Sequence, residues 1–128
     1  MDKPDNLESY RTVLRHVVRP DSVSERDNAA SVLLYGWEAL YMLNPLREYI
    51  NYYARDEENR KIAEAYREYI NMVVRDERCT CVTLYAHTHE AWAVLLESLA
   101  NDLENHVSDE IHSKFLTSYN DAIRNDLL

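Results

Sequence analysis

Residues 46–128 contain neither glycine nor proline. The whole chain has one glycine, Gly36, and three prolines, Pro4, Pro20 and Pro45. Sheets built from hairpins need tight turns, and tight turns draw on glycine for positive φ. A chain with so few breakers and so many good helix formers is expected to be helical. The expected fold is all-α: a compact bundle of five or six helices forming a single domain over residues 1–128. A chain of 128 residues suits one domain and buries roughly two-thirds of the surface its unfolded form exposes.

Periodicity places the helices. Asp5 and Glu8 have capping-box spacing, and Leu7, Tyr10, Leu14 and Val17 follow on one face until Pro20. Ser22 and Glu25 open a second helix that is apolar almost all round through residues 29–43. Its polar exceptions, Ser31 and Glu38, are seven apart, so they define one exposed stripe that also carries Tyr35 and Met42. Gly36 falls inside this helix, where it would cost ~1 kcal/mol against Ala unless a neighbouring helix approaches closely. Asn44-Pro45 should end it. A helix over residues 80–105 presents Tyr85, Trp92, Leu96, Leu99 and Leu103 to the core. The β-prone run at residues 79–85 has no evident strand partner and is read as its entry turn. Ser108 caps the last helix, whose core face is Ile111, Phe115, Tyr119, Ile123 and Leu127.

Between these lies a near-repeat. REYINYYARDE at residues 47–57 recurs as REYINMVVRDE at residues 67–77. A spacing of 20 residues rotates a straight helix by about 200° beyond whole turns. The apolar faces of the two copies would then point opposite ways. Either the chain breaks within residues 55–61, or one continuous helix changes partners halfway; the favoured reading is a break near residues 56–59, with Asp56 available as a cap. The repeat reads as one amphipathic recipe used twice. Its differing middle puts Tyr52 outside where the second copy has Met72, so the first copy is the one to test for binding.

Charge narrows the function classes. The formal net charge is −9, and residues 80–128 hold most of it, with Lys114 and Arg124 as their only Lys or Arg. An acidic balance argues against direct nucleic-acid binding, where affinity comes largely from neutralising phosphates. It suits a partner with a basic surface. The polar, acidic start MDKPDN lacks the basic and apolar regions of a secretory signal, and no apolar run reaches the ~18 residues of a membrane span. Cys79 and Cys81 are too close for an ordinary disulfide, so a reducing, cytoplasmic setting is expected.

No pattern carries catalytic chemistry, and no cofactor is expected. Cys79, Cys81, His87 and His89 invite a zinc reading, but two histidines two apart on a helix diverge by about 200°. The favoured reading is a buried, hydrogen-bonded His89 and two inert or weakly reactive thiols. The compositional lead is tyrosine: ten, against one Phe and two Trp. Tyrosine suits an apolar body beside a wet edge, as at interfaces. The candidate partner-binding residues are Tyr35, Tyr52, Glu90, Glu97, Asp102, Glu104, Asp109 and Glu110. The expected function is a non-enzymatic acidic helical protein that docks on a basic, nucleic-acid-handling or other, protein partner and modulates or inhibits it. The alternative is a structural subunit of a homo-oligomer or larger complex.

Overall fold

The structure, a computed structural model, describes residues 30–74, 81–102 and 106–128. The element order is β1 (Ser31–Tyr35), α1 (Gly36–Glu48), a π-helical turn (Tyr49–Tyr53), α2 (Glu57–Val74), β2 (Cys81–Tyr85), α3 (His89–Ala100) and α4 (His106–Arg124). Helix accounts for 74% of the described residues, so the chain is mostly helical. Four α-helices fall among those residues. The first predicted helix, at residues 5–19, lies outside them.

The all-α expectation needs one correction. Residues assigned to the second predicted helix, SVLLY, form β1, and CVTLY forms β2. The two strands pair antiparallel, with Ser31 opposite Tyr85 and Tyr35 opposite Cys81. Both segments alternate with period two. Val32, Leu34, Val82 and Leu84 point inward and are buried, while Leu33, Tyr35 and Cys81 point out. The β-prone CVTLY had a partner after all, some fifty residues away in sequence, beyond the reach of local periodicity. Gly36 is then the first residue of α1 rather than an interior one. The interior cost does not arise, and no close helix approach is needed to offset it.

The start of α1 also relocates Glu38. It was expected on an exposed stripe with Met42, but it is 6% exposed and Met42 is fully buried, because the strand at residues 31–35 breaks the helical phase on which the stripe rested. Its Oε1 accepts from the Tyr35 backbone N–H at 2.8 Å and pairs with Lys114 Nζ at 2.7 Å. A carboxylate two residues into a helix satisfies an otherwise orphan donor and favours the positive end of the dipole. The lysine from α4 compensates its burial.

Pro45 does not end α1, which runs on to Glu48. Proline has no N–H for the Tyr41 carbonyl. The hydrogen-bond ladder then widens into the π-turn, where the Ala54 N–H reaches back five residues to the Tyr49 carbonyl at 2.8 Å. Ala54 leaves the helical region at ψ 127. Asp56 caps α2, its Oδ1 accepting from the Asn59 N–H at 2.8 Å. A break is thus present, but it falls at residues 54–56 rather than near 56–59, because Asp56 caps a helix that already begins at Glu57.

Two further boundaries differ. The helix expected over residues 80–105 is only His89–Ala100, capped by Thr88, whose hydroxyl accepts from the Ala91 N–H at 3.1 Å. Ser108 is not a cap; it lies in the first turn of α4 and is fully buried. The core gathers Trp92, Tyr49, Tyr66, Phe115, Leu34 and Ile70 between the helices and the inner sheet face. Ile111 and Phe115 are buried as expected, but Ile123 is 45% exposed and Ala122 is buried instead. His89, which opens α3, meets Tyr119. The last turn of α4 therefore runs past the start of α3 and has no helix from it to cover Ile123.

Candidate protein-docking site

The predicted acids take different parts in the fold. Glu97 accepts from the Tyr49 hydroxyl at 3.4 Å and pairs with Arg55 at 2.6 Å. Asp102 accepts from Tyr41 Oη at 2.9 Å and from Ser108 Oγ at 2.6 Å. Burial holds the Tyr41 phenol above its usual pKa, with the Ser108 hydroxyl opposing that shift and Asp102 reinforcing it. Both carboxylates are engaged by hydroxyl groups from other elements. Glu90, Asp109 and Glu110 are exposed, but Glu90 opens α3 while Asp109 and Glu110 open α4 near the far end of α3. The intervening helix is ~18 Å long. Glu104 lies outside the described residues.

The sulfur and imidazole groups are similarly dispersed. Cys79 lies outside the described residues and Cys81 is exposed on β2. His89 is exposed rather than buried, because it opens α3 at its outer edge, and its Nδ1 contacts Tyr119 Oη at 2.8 Å. Among the described residues no group of three or more His, Cys, Asp or Glu converges on a metal-sized site.

The two candidate tyrosines are both exposed but lie on different elements. Tyr35, on β1, is 61% exposed, and Lys114 Nζ sits 5.0 Å from its ring centroid. Tyr52, on the π-turn, is 74% exposed. The structure does join Tyr52 to one predicted acid. Tyr49 anchors the same turn, buried completely, with its hydroxyl directed to Glu97. Burial raises the Tyr49 pKa, and the Glu97 charge reinforces it. Arg55, just beyond the turn, closes on the same carboxylate.

This anchoring displays a second aromatic, Tyr53, which helical periodicity groups with Leu46, Tyr49 and Ile50 on one apolar face. Tyr53 is 48% exposed, its ring edge-on to Tyr52 at 6.4 Å between centroids and 71° between planes. The π-turn inserts one residue into the helical register and so rotates Tyr53 outward. The exposed acids Asp56, Glu57 and Glu58 follow directly. Glu57 is paired with Arg60. On the other side of the turn, Ile50 joins Glu64, Arg67, Glu68 and Asn71 of α2 around an open groove of about 290 Å³. Arg67 Nε donates to the Leu43 carbonyl at 3.3 Å, and Glu64 pairs with Arg60 at 3.3 Å. The only signal of this site in the sequence is YYA, where the second copy of the repeat has MVV.

No protein-family model, curated protein or solved structure matches this chain.

Proposed function

We propose that this protein is a non-enzymatic binding protein that docks on a basic protein partner and modulates or blocks it. The observation that carries the reading is the exposed Tyr52–Tyr53 pair, held on an anchored π-turn beside a groove that contains Glu64 and Glu68. Aromatic anchors supply much of the energy of protein interfaces, and an anchored turn limits the entropy lost on docking. The exposed Glu68 carboxylate suits a Lys or Arg side chain, and the net charge of −9 steers a basic surface toward the molecule.

The test is affinity capture from the source cell with Tyr52→Ala and Glu68→Lys beside the native chain. A basic protein should be retained by the native chain, lost with either variant, and released by salt. Melting temperatures should match. Retention unchanged by both variants, or a retained partner without a basic surface, overturns the reading. Glu97 and Asp102 are poor probes, because reversing their charge also breaks the Arg55 and Tyr41 contacts.

A further inference from the structure

A second surface lies on a different part of the molecule. Leu33 and Tyr35 project from the outer face of β1, and Trp37 and Leu40 from the exposed side of the first turns of α1. Their exposures are 59%, 61%, 56% and 52%. Four large apolar side chains exposed within eight residues present on the order of 500 Å², near the upper end of what a monomer usually shows in one patch. The ion pair at this face is internally neutral: Lys114, above the Tyr35 ring, is paired with Glu38.

We propose that this face is a two-fold interface between two copies of this chain. Isologous pairing of a patch of ~500 Å² removes ~1,000 Å² in total from water, about the lower limit for a specific interface. Charge complementarity favours a second copy over an unrelated partner. Glu110 lies one helical turn before Lys114, on the α4 edge of the face, and is exposed. Arg47 lies on the opposite edge, on the exposed side of α1 with Leu40 and Asn44; its nearest carboxylate, Glu48, is at 4.0 Å. A two-fold axis lying across the face brings each edge against the opposite edge of the second copy. Arg47 of one copy then meets Glu110 of the other, twice. The apolar centre lets two chains of net charge −9 associate despite their repulsion.

The experiment measures mass in solution over a concentration range, with Trp37 emission as a local probe; the other tryptophan, Trp92, is fully buried. The native chain should approach twice 15.1 kDa as concentration rises. Trp37 should become shielded from iodide over the same range. Leu40→Lys should return the mass to the monomer. Arg47→Glu and Glu110→Arg should each weaken association at least tenfold, and the double variant should recover most of it. Because Leu40, Arg47 and Glu110 are exposed, these variants test the interface without emptying the core. A native chain that stays monomeric at 100-fold dilution and at high concentration alike overturns the proposal. So does a dimer indifferent to Leu40→Lys, or a monomer with Trp37 already shielded, which would assign the face to residues 1–29. Tyr52→Ala should leave the mass unchanged, so this test stands apart from that of partner docking.

Discussion

The two copies of REYIN begin alike and end in different structures. In the first, Arg47 and Glu48 finish α1, and Tyr49, Ile50 and Asn51 open the π-turn. In the second, the same five residues sit within the uninterrupted helix α2. Burial is exchanged as well. Tyr49 and Ile70 are fully buried, whereas Ile50 and Tyr69 are only partly so. Identical residues thus take opposite shares of the core, as a rotation of the chain between copies requires. The surroundings decide the outcome. Pro45 disturbs the ladder upstream of the first copy, and Asp56 captures the next helix start downstream. The described part of the second copy has neither. A shared pentapeptide is therefore weak evidence of a shared role.

The largest test of this contrast is core truncation. Tyr49→Ala should cost about 3–5 kcal/mol and Ile70→Ala about 2–5 kcal/mol in urea unfolding. Tyr69→Ala and Ile50→Ala should each cost clearly less than their counterparts. Equal losses at matched positions would break the comparison. Next comes the cap: Asp56→Ala should cost ~1 kcal/mol, with Asp56→Asn nearly neutral. A third test uses Tyr66, which precedes the second copy and donates to the Tyr85 carbonyl at 2.6 Å. Burial raises its pKa well above the ordinary value near 10. The neutral phenol is thus favoured by folding, and its contribution is full below about pH 10 and lost as pH rises toward the folded-state value. Tyr66→Phe should flatten the alkaline limb of the stability curve above pH 10, at a neutral-pH cost of ~1 kcal/mol. The smallest effect belongs to Arg55→Ala. Its pair with Glu97 is largely solvent-exposed on the arginine side, so the loss should be within ~1 kcal/mol. Partner retention should fall more than stability does.

Helix content was legible because residues 46–128 lack breakers. The strands were not, for two different reasons. SVLLY merged into an apolar run that fits a buried helix as well as a strand. CVTLY showed its β-propensity but no neighbour, because pairing with β1 is a long-range event. Glu38 was misplaced for a related reason: its cation, Lys114, comes from α4. The exposure of Tyr52 followed from its helical phase, and Tyr53 escaped because a π-turn changes that phase. Acids spaced along one stripe gave no warning that Glu97 and Asp102 would each be engaged by tyrosine hydroxyls from other elements.

The β1–β2 ladder has a consequence for how the chain assembles. Bringing Tyr35 to Cys81 closes a loop that contains α1, the π-turn and α2. Closing a loop of that length costs roughly 3 kcal/mol of chain entropy beyond a constant, before any ladder hydrogen bond forms. The helices can form from local contacts, whereas the ladder gains only after they have shortened the distance. Strand pairing is therefore the late step of folding, and the slow phase of refolding should respond to substitutions at Leu34 and Leu84 more than to any within α2.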